Sequence, residues 1–403
     1  MTPAASTQQR PAQLRRALLA LCLLELTCWG ALYYALPVMA PVIADRQHWS
    51  PTLVTGGLSL ALAVSAVAGV RVGRVLDTRG PRPVMAAGLF AAVAGLVGLA
   101  TAPAIGWFLA AWVVVGFGMS AVLYQPAFAA AVGWFDDPVR PLLAITLVAG
   151  LASTVFAPLT SVLVAALPWR TVWWLLAGLV AVIGAPAVVW GLQLPWPQRG
   201  PRRREPIATL TRDRAFWQLA VSLAAMTFAL YAVLIGLVPL LTGRGMSAAT
   251  AAWAIGVGGL GQVAGRALYP AMTRRWRERA LLAVVAAVAV VGLIALAALG
   301  VGPVVALTAA AVVGVARGLM TLIQATVVRS RWEPQRYGAV SGALAAPSTL
   351  TIAAAPLLGT VAGEVLGYPA LFVGLGLLAA VAGIGLVMAP DPDPDAGLAT
   401  DPS

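Results

Sequence analysis

The chain has 403 residues, 61% of them hydrophobic and only 10% charged, with a mean hydropathy of +0.90. So few charges cannot clothe a water-facing surface, which excludes a soluble globular domain. The formal charge of +12 rests on 26 basic residues, all of them arginine, and in a soluble protein it would suggest nucleic acid; here their placement decides otherwise.

A helix needs about 20 apolar residues to cross a bilayer. Twelve such stretches follow one another, the first six near 17–43, 52–72, 83–102, 105–132, 141–166 and 170–193. The second six lie near 214–242, 248–271, 279–300, 302–328, 337–363 and 367–389. These Ala-, Leu-, Val- and Gly-rich runs lack the short-period alternation of a transmembrane barrel, so the spanning elements are helices. The expected fold class is all-α integral membrane: twelve helices in two pseudo-symmetric six-helix bundles around a central cavity. The first apolar run is long and has no small-residue cleavage site after Arg15 and Arg16, so it is read as an uncleaved helix rather than a signal peptide.

Residues 1–16 form a basic N-terminal tail, 17–193 and 214–389 the two bundles, and 390–403 an acidic, Pro-rich tail expected to be disordered. Between the bundles, 194–213 is a Pro- and Arg-rich connection. Most arginines lie in the N-terminal tail or at the loops after even-numbered spans. The positive-inside rule then puts both termini in the cytoplasm, with the chain in a bacterial plasma membrane. Basicity therefore reports topology, and no nucleic-acid partner is expected. Weak internal similarity between YALPVMAPVIADRQHWSP and YAVLIGLVPLLTGRGMSA supports two parallel halves.

Between the second and third spans lies VGRVLDTRGPRPV, Val72 to Val84. Its Gly73, Asp77, Gly80 and Arg82 match the signature Gly-x-x-x-Asp-(basic)-x-Gly-(basic)-(basic), with Thr78 and Pro81 at two usually basic positions and Arg79 between Thr78 and Gly80. On these residues the chain resembles the major facilitator superfamily, and Asp77-x-x-Gly80-Pro81-Arg82 is most similar to the monocarboxylate and oxalate transporter branch. The long central connection and Trp169-Arg170 also match. The resemblance implies a transporter working by alternating access, with this motif as a gating latch and not a substrate site. The spacing also makes physical sense alone: Gly73 permits close helix approach, Asp77 can accept hydrogen bonds, and arginines suit carboxylates and lipid headgroups.

Ionisable residues inside a bilayer cost at least about 2.5–3.5 kcal/mol on insertion scales, so each is a functional candidate. Glu25 lies roughly 12 Å into the first span and Arg317 roughly 17 Å from the inner end of the tenth, at 1.5 Å per residue. Arg266 is shallower, within reach of the interface by snorkelling. Arg266 shares a helical face with Gln262 at i, i+4. Monocarboxylate transporters carry an Asp and an Arg at that spacing in the eighth helix, the Arg contacting the substrate anion; here the Asp is Gln262. The lysine that follows the proline in that family's first-helix segment is replaced by Val38. Both departures weaken that branch's proton-coupling scheme for this chain, and the buried carboxylate Glu25 remains the proton-coupling candidate, with an ion pair to an arginine as its alternative. Tyr33, Tyr34, Tyr124, Gln125, Tyr231 and Gln324 lie on helices that line the cavity in the superfamily, and would give it mixed polar and aromatic walls.

Pro37/Pro41 and Pro347/Pro356 are expected to kink their helices. Cys22, Cys28 and His48 have no partners at metal-ligand or disulfide spacing, and no cofactor, metal or catalytic constellation is expected. The substrate expected is a small organic anion, a carboxylate, with protons as the coupling ion considered and the protein acting as a monomer, not as an enzyme. The alternatives are an exporter of hydrophobic drugs or antibiotics, and a non-transporting membrane receptor.

Overall fold

The computed structural model describes residues 4–197, 214–298, 302–331 and 337–390. The disorder expected from Asp391 onward, and most of the connection 194–213, lie outside the described residues. Within them the chain is helical with no strand. Two compact units divide it: 1–200 with 247–259, and 201–246 with 260–403.

In the first unit, α1 (Ala4–Trp29) and α2 (Ala35–Gln47) are joined by a widened turn at Gly30–Tyr34. The Ala35 N–H reaches back five residues to the Gly30 carbonyl. The proline at 37 has no N–H to offer the Tyr33 carbonyl four residues back, which accounts for the local unwinding. Helix α1 starts well before residue 17, so the basic tail continues the first helix instead of preceding it. Next come α3 (Pro51–Arg79) and α4 (Pro81–Ala100), each with proline in its first turn, where a missing N–H costs nothing.

The expected continuous helices 105–132 and 141–166 are each broken. α5 (Ile105–Val122) stops at an extended Leu123 and α6 (Tyr124–Trp134) restarts with Pro126 in its first turn. α7 (Val139–Gly150) and α8 (Ala152–Ala166) meet at Leu151. α9 (Trp169–Pro186) runs on into a widened turn, Ala187–Gly191. Trp112, fully buried, stands edge-to-face against Trp173 and Phe108 at the heart of this unit.

The second unit contains α10 (Arg214–Thr242), the greater part of α11 (Ala248–Arg275), α12 (Glu278–Ala297), α13 (Pro303–Arg331), α14 (Tyr337–Leu366) and α15 (Tyr368–Val387). α10 packs on α14 and α15, and α12 on α13 and α15. Residues 247–259 of α11 belong with the first unit, where Thr154 Oγ1 donates to the Gly256 carbonyl at 2.9 Å. By length and composition 11 helices among the described residues could cross a membrane. α11 falls outside that set.

Two arginines at the opposite loops tie down helix ends. Arg170 lies over the Trp169 ring and donates to the Ala102 carbonyl at 2.8 Å, just past α4. Arg244 donates to the carbonyls of Leu296 and Ala297 at 2.6 and 2.7 Å, at the end of α12. A cation there answers both the orphan carbonyls and the negative end of the helix dipole. His48 is exposed and caps α2 in the left-handed region at φ 54°.

Candidate functional site

In the second unit, Gly261 and Gly265 on α11 lie against the backbone carbonyls of Ala311 and Val315 on α13, and Gly318 answers them against the Gln262 carbonyl. A Cβ at any of these positions would overlap backbone, so the two helices approach as closely as only glycine permits. That contact brings the expected polar residues together. Arg317 donates from Nη2 to Gln262 Oε1 at 3.0 Å and lies 6.0 Å from the Tyr231 ring centroid. Both partners in the hydrogen bond are buried, Arg317 at 4% exposure and Gln262 at 4%. Arg266, one turn along α11 from Gln262, is 1% exposed, so it does not snorkel to the interface.

Seven residues beyond Arg317, about 10 Å along the helix, Gln324 donates to Thr227 Oγ1 at 2.7 Å. Thr227 was not among the expected residues; a threonine in an apolar helix carries no signal beyond its own polarity. Tyr269 and Thr326, also unexpected, share a hydrogen bond between α11 and α13.

In the first unit, Glu25 is fully buried and accepts one hydrogen bond, from Trp29 Nε1 to Oε2 at 2.9 Å. Its Oε1 has no hydrogen-bond partner among the described residues. Trp29 is the hub of an aromatic cluster, with ring centroids 5.4 Å from Tyr33, 6.5 Å from Tyr34 and 5.1 Å from Tyr124. Phe128 stacks on Tyr124 at 4.9 Å. The Glu25-x-x-x-Trp29 spacing was a legible signal for that pair, since i, i+4 residues share a helical face. Cys22 and Cys28 are buried thiols on the same helix.

Gln125 stands apart from this cluster. It lies over α3, its amide facing Gly69 and Gly73. The signature itself is helical almost to its end. Gly73 to Arg79 form the last two turns of α3, and only Gly80, at φ 78°, separates α3 from α4. Asp77, Arg79 and Arg82 are exposed, and Arg82 donates to the Val189 carbonyl at 3.1 Å. Trp196, which sequence reasoning passed over, closes the turn. Its indole N–H donates to the Asp77 carbonyl at 3.0 Å, its Cβ sits 2.9 Å from where a Gly80 Cβ would be, and its ring meets Trp134 edge-to-face.

A chain of apolar helices with buried charges and a glycine-pinned signature turn is a polytopic α-helical membrane protein. The Major Facilitator Superfamily profile matches residues 21–346, and the chain belongs to that family of transporters. Among solved structures it is similar to the nucleoside transporter NupG, as a point variant, with a TM-score of 0.72 and 12% identity over 93% of this chain and 98% of that one. It is also similar to a bacterial homolog of the human lysosomal transporter Spinster in its inward-facing, occupied conformation. There the TM-score is 0.65 and the identity 18%, over 92% of this chain and 94% of that one. At such identities the likeness is one of fold. A curated relative, an uncharacterized 38 kDa protein in the 23S RNA operon of Thermoproteus tenax, is 35% identical over 136 residues, 33% of this chain and 36% of that protein. The match thus spans about a third of the relative's length.

Proposed function

We propose that the protein is a secondary active transporter that moves a small organic anion, a carboxylate, by alternating access. The observation that carries this reading is a pair of buried guanidiniums close to one amide. In the second unit Arg317 donates to Gln262 Oε1 at 3.0 Å, both side chains being 4% exposed. With Arg266 buried one turn from Gln262, two guanidiniums serve one small region, and their planar donor sets suit carboxylates. Tyr231 and Gln324 supply further polar surface on the same unit. Glu25 is the proposed site of proton coupling.

Purified protein in liposomes, loaded with and exposed to mono- and dicarboxylates, tests the reading. Saturable flux is expected. Arg317→Lys should lower it by roughly one to two orders of magnitude, because charge is kept while the bidentate fork is lost, worth about 1.5–3 kcal/mol for a charged hydrogen bond. Undiminished flux in both Arg317→Lys and Arg266→Gln would remove the basis for the anion.

The second reading, export of hydrophobic compounds, is favoured by the Trp29, Tyr124 and Phe128 cluster. It predicts lower cellular accumulation of lipophilic dyes and no carboxylate flux.

A further inference from the structure

After α9 and its widened turn the chain leaves helix over 192–197, where Leu194-Pro195-Trp196-Pro197 places a proline after each of its other two residues. A residue that precedes proline is pushed toward extended backbone, so the stretch is stiff before it touches anything. It lies across the ends of two helices of the first unit. Trp196 Nε1 donates to the Asp77 carbonyl near the end of α3 at 3.0 Å, and Trp134 Nε1, at the end of α6, donates to the Pro195 carbonyl at 3.2 Å. The two indoles meet edge-to-face, 6.3 Å between centroids. Trp196 also fills the space of two absent side chains. Its Cβ and Cγ lie 2.9 Å from where a Gly80 Cβ would be, and its six-membered ring overlaps the place a Gly133 Cβ would take.

The bond to Asp77 answers a need that the turn itself creates. In a continuous helix the Asp77 carbonyl would accept from residue 81, but residue 81 is a proline and has no N–H. The carbonyl before it, of Leu76, is served by the Gly80 N–H at 2.9 Å. Trp196 supplies to Asp77 the donor that Pro81 withholds. Beneath the turn, Leu76 and Val84 pack with Ala121 and Ala129. Gly133 stands one turn beyond Ala129 on α6, so the face that supports the turn also leaves the room into which Trp196 fits.

We propose that segment 194–197 is a strap over the signature turn, with Trp196 as the positioning residue that sets how often the turn opens. Docked, the indole keeps the junction of α3 and α4 closed. With it withdrawn the resting geometry survives and the opening frequency rises. The chain beyond Pro197 leads on to α10, so the strap ties the connection between the two bundles to this turn. The proposal rests on neither the carboxylate nor the exporter reading.

The test is hydrogen–deuterium exchange of the full-length protein in detergent, read by mass spectrometry. The reporters are the backbone amides of 77–80 and of Arg82, with α5 and α12 as controls. Trp196→Ala should speed exchange at the turn roughly tenfold, as for one hydrogen bond lost with its packing, and leave the controls unchanged. Gly133→Ala should do the same from a different helix, because its methyl displaces the Trp196 ring, although alanine is the better helix former there. In a Trp196→Ala background, Gly133→Ala should add nothing at the turn. If Trp196→Ala does not fold, Trp196→Phe, which keeps a ring and removes the indole donor, takes its place. Unchanged exchange at the turn in these variants overturns the proposal. So does faster exchange spread evenly over turn and controls, which would make Trp196 a packing residue of the unit and nothing more. Additive effects in the double variant overturn it as well, since the two substitutions would then act through separate contacts.

Discussion

Glu25 concentrates what a single residue can do in this fold. One carboxylate oxygen holds Trp29 and the other is buried without a hydrogen bond among the described residues. If it carries the proton, Glu25→Gln should keep the fold, since an amide oxygen can still accept from Trp29, while uptake driven by a pH gradient falls to background and substrate exchange persists. Gradient-driven uptake at the wild-type rate in that variant would end the coupling role. Glu25→Ala should lower stability by about 1–3 kcal/mol, as expected when a buried donor loses its acceptor, read as a drop in melting temperature. At this scale the sequence was informative because charge is rare in an apolar chain: Glu25, Arg266 and Arg317 stood out before any coordinates. Their partners did not. Gln262 was noticed for sharing a face with Arg266, yet the residue that bonds it is Arg317, 55 positions away.

Among the helices, the spans other than α11 stand out by hydropathy alone, but their interruptions do not. Pro126 had been counted inside a continuous run, whereas it starts a new helix after Leu123; a proline in a first turn and a proline in an interior look alike in composition. The signature was expected as a loop and is two helices joined at one residue. Gly80 at φ 78°, with Trp196 pressed on it, leaves no room for a side chain. Gly80→Ala should therefore cost about 1–3 kcal/mol in backbone strain, plus whatever displacing Trp196 adds. Trp196→Ala should lower stability less while leaving the turn intact, and thermal unfolding of the two variants beside the wild type checks the order. Trp196 escaped sequence reading because a lone tryptophan after a helix is ordinary at a membrane interface, and its role comes from a contact 119 residues away.

For the molecule as a whole, arginine placement predicts topology. Most arginines cluster at one set of helix ends, while Arg170 and Arg244 are consumed as caps at the other. A green fluorescent protein fused to the C-terminus should fluoresce and an alkaline phosphatase fused there should be inactive; the reverse pair of results would invert the orientation. The tight seam between α11 and α13 has its own consequence for a moving machine. Gly261, Gly265 and Gly318 lock the two arginine-bearing helices backbone to backbone, so any rocking must carry them as a single plate. The spacing of the guanidiniums is then the same whichever side is open. Under the proposed reading, a bound anion would meet one unchanging pair of guanidiniums throughout the cycle.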